Sequence, residues 1–193
     1  MILLHCTHMT RQLQASRLNV QAFAQEGEAL VETTPLHDLH RLAQEAHGAR
    51  EGKPDSAVEW RALAELRERA GAEEDVWLRL QAHTSIALTC QRCMQAVLIP
   101  LEVDQWYRFV ATEDIAMAED DASEEDLLVM EPQFDLLALL EDELLMALPL
   151  VPMHEHCPES ASQASASPKE KVDDEPAEKP NPFAVLAKLK KNL

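Results

Sequence analysis

The sequence predicts an α+β fold. An antiparallel β-sheet is built around a long central hairpin and packed by a leucine-rich helix. An N-terminal helix and a disordered C-terminal tail ending in a short helix complete it. Three observations carry this reading. Val76–Thr89 and Ala96–Val110 both alternate apolar and polar residues and are separated by a short turn. Leucines recur at helical spacing after Asp135. From Pro158 to Pro180 the chain is mostly Ser, Ala, Glu, Lys and Pro, with Val172 as its one large apolar residue.

Residues 1–33 show weak periodicity and read as irregular with some helix. Thr34-Pro35 reads as a helix start, with Thr34 as N-cap and Pro35 at the first helical position. Leu36, Leu39, Leu42, Ala43 and Ala46 follow at helical spacing, and Gly48 is the expected stop. A polar loop, 49–55, leads into alternation over Val58, Trp60, Ala62, Ala64 and Leu66. That segment reads as a strand, although its Ala and Leu content also suits a short helix. Ala70-Gly71-Ala72 makes a turn. In the first hairpin strand Val76, Leu78, Leu80, Ala82, Thr84, Ile86 and Leu88 share one face. In the second, Val97, Ile99, Leu101, Val103, Tyr107 and Phe109 do so. Pro100 removes a ladder donor, which calls for an edge or a bulge there. Residues 112–126 read as an acidic loop and Leu127–Met130 as a short strand. Asp135 caps a helix carrying Leu136, Leu137, Leu139, Leu140, Leu144, Leu145 and Leu148, which ends before Pro149 and Pro152. The expected organisation is one domain over 1–157, a linker over 158–180 and a short amphipathic helix over 181–193.

The formal charge of −18 is uneven: residues 111–143 hold 13 acids and no base. Such a chain is a poor match to naked nucleic acid, whose binding rests on Lys and Arg neutralising phosphates. The plain reading of the acidic run is a solvated segment that favours solubility. Four Cys and no long apolar run argue against a disulfide scaffold and a membrane span. The apolar start, Met1–Cys6, is too short for a signal peptide and lacks a basic region, so a reducing cytoplasm is expected.

One feature has residue types and spacing suited to chemistry: Cys90-Gln-Arg-Cys93 at the hairpin tip, with His154-Glu-His156-Cys157 past the leucine-rich helix. Cys-x-x-Cys on a tight turn is half of a zinc site. If the helix packs on the sheet, its exit brings the second cluster back to the tip. A tetrahedral site of Cys90, Cys93, His156 and Cys157, with His154 as the neighbouring alternative, would then join tip to exit. The competing reading is reduced thiols on a turn and solvated histidines. Redox work would need the pair at a helix N-terminus, where the dipole lowers a thiol pKa; this pair lies between strands. Phosphate loops, serine elbows and dinucleotide fingerprints are absent, and four Gly leave little room for them. No enzyme site is therefore expected. Trp77, Arg79 and His83 share the polar face of their strand. With Arg108 and the tail lysines they form the candidate RNA-contacting set, against the plainer reading of edge packing.

Leu88-Thr-Cys90-Gln-Arg-Cys93 resembles the Leu-x-Cys-Gln-Arg-Cys turn of the bacterial YceD family, the large ribosomal RNA subunit accumulation proteins. Leu136-Leu-Ala-Leu-Leu-Glu141-Asp142-Glu143, then Ala147-Leu-Pro149-Leu-Val-Pro152-Met-His154, is similar to that family's helix and proline-rich exit. The tail from Lys179 to Lys190 is similar too. The resemblance implies a cytoplasmic role in synthesis, processing or stability of 23S rRNA during large-subunit assembly. It implies no catalytic activity and brings no settled functional residues. With the acidic charge, it points to a preribosomal particle or an assembly or rRNA-processing protein as partner. Contact with rRNA is then indirect, and zinc is the one cofactor considered. The rivals are a direct rRNA-binding module and a structural-zinc adaptor between proteins.

Overall fold

The computed structural model describes residues 14–49, 56–68 and 74–158. The turn expected at 70–72, nearly all of the loop at 49–55, the linker beyond Pro158 and the terminal helix at 181–193 lie outside them. The described chain is α+β, as the patterning requires. Its sheet has five strands in sequential order: β1 (Ala29–Pro35), β2 (Ala57–Arg67), β3 (Asp75–Thr89), β4 (Ala96–Val110) and β5 (Asp126–Val129). The first four pair antiparallel, and β5 pairs parallel with β4. The sheet is thus mixed rather than purely antiparallel. A parallel neighbour needs a crossover connection, and the acidic segment supplies it. What reads as a loop holds α3 (Glu113–Glu119), capped by Thr112, whose Oγ1 accepts from Ile115 N at 3.4 Å. Glu113 and Asp114 in its first turn suit the positive end of the helix dipole.

β3 and β4 pair in one continuous register from Val76↔Phe109 to Thr89↔Ala96, which is the expected hairpin. β5 meets β4 only at Tyr107–Val110. Pro100 therefore sits where β3 is the one strand neighbour among the described residues, so its missing N–H is tolerated. Period-2 alternation puts Val58, Trp60, Ala62, Ala64, Leu78, Leu80, Ala82, Leu101, Tyr107 and Phe109 on one face, all buried.

Three helices cover that face and join its hydrophobic cluster. In α1 (Val20–Glu26), Val20, Phe23 and Ala24 are buried. Asn19 Oδ1 caps it through Ala22 N at 2.9 Å, and Gly27 closes it at φ +65°, a left-handed conformation that glycine adopts without cost. The α4 helix (Leu136–Met146) buries Leu136, Leu140, Glu141 and Leu144. Asp135 caps it as expected, Oδ1 accepting from Ala138 N at 3.0 Å. Asp135→Ala should lower stability by about 1 kcal/mol in urea unfolding, because one orphan N–H loses its acceptor. Just before this cap, Phe134 exchanges both backbone hydrogen bonds with Leu18, at 2.8 and 2.9 Å, and its ring meets Phe109 edge-on.

The expected helix start at Thr34-Pro35 is corrected: both residues belong to β1. Thr34 Oγ1 serves tertiary structure instead, accepting from the buried Trp60 Nε1 at 2.9 Å. The helix shrinks to a 3-10 turn, Leu36–Asp38, followed by α2 (His40–Glu45). Leu36, Leu39, Leu42 and Ala46 remain buried, so the apolar stripe survives the change of boundary. Leu39 precedes α2 and has no capping side chain. The cap comes from α4: Glu141 Oε1 accepts from Arg41 N at 2.6 Å and from Leu42 N at 3.2 Å. No helix among the described residues is long and apolar enough to cross a membrane.

Candidate metal centre at the hairpin tip

β3 ends at Thr89, and Cys90 follows at its exit, fully buried. The chain turns through Gln91-Arg92-Cys93. Cys90 O accepts from Met94 N and Cys90 N donates to Gln95 O, each at 2.9 Å. Met94 takes the left-handed φ of 60° that lets the turn close into β4. This places both thiols on the inner side of the tip.

The exit of α4 runs past the same tip. Gln91 N donates to Pro152 O at 2.9 Å. His154 N donates to Cys90 Sγ at 3.4 Å. His154 Nδ1 lies 3.4 Å from Cys93 Sγ, and Cys157 Sγ lies 3.9 Å from Cys90 Sγ. One donor atom from each of Cys90, Cys93, His154 and Cys157 falls within 4.8 Å of all the others. These four residues lie close enough to bind one metal ion. His156, expected in the group, is exposed and lies outside it. His154 takes the place because His-x-x-Cys brings first and fourth residues to one side of a turn, as Cys-x-x-Cys does. Adjacent residues such as His156 and Cys157 diverge.

The ring of His154 is fixed at both nitrogens. Its Nε2 lies 3.0 Å from the carbonyl oxygen of Ala96, an acceptor only, so Nε2 donates there and Nδ1 is the nitrogen that faces the thiols. Burial pushes the Cys90 thiol up. The backbone N–H groups of His154, Cys93 and Arg92 and the His154 side chain outweigh it and bring the pKa down to about 5. Cys157 is moved the other way, by burial and then by the neighbouring sulfurs of Cys93 and Cys90. A Cys90 thiolate sealed from solvent suits a ligand better than a nucleophile, since reactive thiols are partly exposed.

The opposite face of the sheet carries the residues considered for RNA. Trp77 and Trp106 meet edge-on with centroids 6.3 Å apart, and the Arg67 guanidinium sits 4.2 Å from each ring centroid. Arg79 grips Asp104 with two hydrogen bonds of 2.8 Å. Arg108 is buried against Glu125, Ser123 and Glu119. His83 Nε2 lies 3.2 Å from Glu59. Arg67 also pairs with Glu65, so Arg67, Arg79, Arg108 and His83 are each turned to a carboxylate of the chain itself.

Comparison with known proteins agrees on one family. The profile described as "Large ribosomal RNA subunit accumulation protein YceD" matches residues 78–190, more than half of the chain. A protein of that name from Haemophilus influenzae is 40% identical over 124 residues, covering 60% of this chain and 66% of the relative, just under two thirds of its length. No solved structure matches.

Proposed function

The chain belongs to the YceD family of large ribosomal RNA subunit accumulation proteins, and we propose that it is a non-enzymatic factor of large-subunit biogenesis. It supports the synthesis, processing or stability of 23S rRNA, in the cytoplasm. The observation that carries this reading is the reach of the family match, which covers most of the hairpin, its Cys-x-x-Cys tip, α4 and the exit past His154.

The geometry supports a scaffold rather than a catalyst. A metal held by three thiolates and one imidazole has a complete tetrahedron and no open position for a substrate, the mark of a structural zinc site. The acidic crossover and the carboxylate-paired arginines of the open face favour a partner other than bare RNA: a preribosomal particle, or an assembly or rRNA-processing protein. Deleting the gene should lower 23S rRNA relative to 16S rRNA and shrink the large-subunit peak in sucrose gradients. The wild-type chain supplied in trans should restore both. Unchanged 23S levels and a normal large-subunit peak would end this reading. The rival, a direct rRNA-binding module, requires salt-dependent binding that Arg67→Glu and Arg79→Glu weaken.

A further inference from the structure

We propose that Cys90, Cys93, His154 and Cys157 bind a single zinc ion through three sulfurs and the Nδ1 of His154, and that the ion fastens the α4 exit to the hairpin tip. This goes beyond the ribosomal role and does not depend on it.

Four features of the site support it. The first is spacing. Two sulfurs bonded at about 2.3 Å to a tetrahedral zinc stand about 3.8 Å apart, and a sulfur and an imidazole nitrogen about 3.5 Å apart. The Cys90–Cys157 separation is 3.9 Å, and Cys93 Sγ to His154 Nδ1 is 3.4 Å. The widest pair lies within 4.8 Å, so small side-chain rotations complete the shell. The second is the ligand set. Three soft sulfurs and one nitrogen in tetrahedral reach suit zinc, whereas calcium and magnesium take oxygen ligands. The third is the outer shell. A zinc-bound histidine donates its other N–H to a carbonyl or carboxylate, and His154 does so to Ala96 O. Cys90 Sγ already accepts the N–H of His154, as ligand sulfurs do. The fourth is topology. Residues more than sixty positions apart converge here, the exit segment having no strand or helix of its own to hold it. A disulfide does not replace this arrangement, since Cys90, Cys93 and Cys157 are all free thiols.

Binding is an acid–base exchange without electron transfer. Zinc enters as a dication, each protonated ligand atom releases its proton to solvent, and His154 binds as the neutral imidazole. The loaded centre carries one net negative charge. Its affinity therefore falls as pH falls and protons compete for the sulfurs.

The test uses the full-length chain, purified without chelator. Wild type should hold about one zinc per chain by elemental analysis. After exchange, cobalt should give the intense visible bands of a tetrahedral thiolate site. His154→Ala and Cys93→Ser should lose most of the bound zinc, while His156→Ala keeps it. His154→Cys should restore it as an all-sulfur site, which separates ligand loss from misfolding. In hydrogen exchange, the amides of Gln91 and His154 should lose protection when zinc is stripped and regain it on reloading. Wild type with no zinc, an octahedral cobalt spectrum, or loss of metal in His156→Ala but not in His154→Ala would overturn the assignment.

Discussion

Arg108→Ala is expected to lower the unfolding free energy by about 3 kcal/mol, the low end of the cost of breaking a buried ion pair. Arg108 is 6% exposed on the otherwise open face of the sheet. Its Nε donates to Glu125 Oε1 at 2.7 Å and its Nη2 to Ser123 Oγ at 2.9 Å. Its Nη1 lies 2.9 Å from Glu119 Oε2 as an ion pair without an aligned hydrogen bond. The low end applies because the carboxylates of Glu119 and Glu125 keep 29% and 20% of their side-chain exposure and can turn to water. The effect is more than local. Residues 111–143 hold 13 acids and no base, so Arg108 is a cation supplied from outside to a self-repelling segment. Removing it leaves α3 and the crossover to β5 repelling one another. Added salt should therefore recover part of the lost stability in Arg108→Ala and much less in wild type. Urea titrations at low and high NaCl would measure both. A loss that salt leaves unchanged would mean packing, rather than charge, is what Arg108 contributes.

Glu141→Ala should cost about 2–3 kcal/mol, from the lost charged hydrogen bonds and the cap they make. The carboxylate joins α4 to α2 across 100 positions, accepting from Arg41 N, Arg41 Nε and Leu42 N. Arg41 Nη1 extends the clamp to Asp142 Oδ1 at 2.6 Å. Burial pushes the Glu141 carboxyl up, but the Arg41 side chain and the Leu42 and Arg41 N–H groups hold it below its usual range. The sign follows. A carboxyl whose folded pKa is depressed contributes stability that is complete above the unfolded value of about 4.3 and is lost as pH falls through the folded pKa. Wild type should therefore lose stability steeply below about pH 4, and Glu141→Gln less steeply. Glu141→Gln keeps a carbonyl acceptor for α2 and should cost about 1 kcal/mol at neutral pH. Equal acid sensitivity in Glu141→Gln and wild type would show that other carboxyls govern acid unfolding.

Much of the fold was legible in the chain because it rests on local periodicity. Alternation marked β2, β3 and β4 to within a residue or so, and it placed Trp77, Arg79 and His83 on the open face. The short Cys90–Cys93 turn between two strands was enough to locate the hairpin tip. What escaped was settled by partners far away in sequence. Thr34-Pro35 has the local chemistry of a helix start, yet pairing with β2 and the need of the Trp60 indole for an acceptor outweigh a capping preference worth about 1 kcal/mol. The acidic stretch has the composition of a loop but holds a helical crossover, as the parallel pairing of β5 with β4 requires. Of the candidate site, three sulfurs were readable. His154 rather than His156 joins them, at the spacing His-x-x-Cys that matches Cys-x-x-Cys.

The sequence by itself determined β2, β3 and β4, the apolar faces, the tip thiols and the family, because each depends on neighbours two to four residues apart or on a contiguous motif. Only the tertiary structure decided that Glu141 caps α2, that Arg108 anchors the acidic crossover and that His154 turns Nδ1 toward the cysteine sulfurs. Those three arrangements need a backbone N–H, a carboxylate or a carbonyl contributed by another element. Folding must bring such groups together before burial can make them matter.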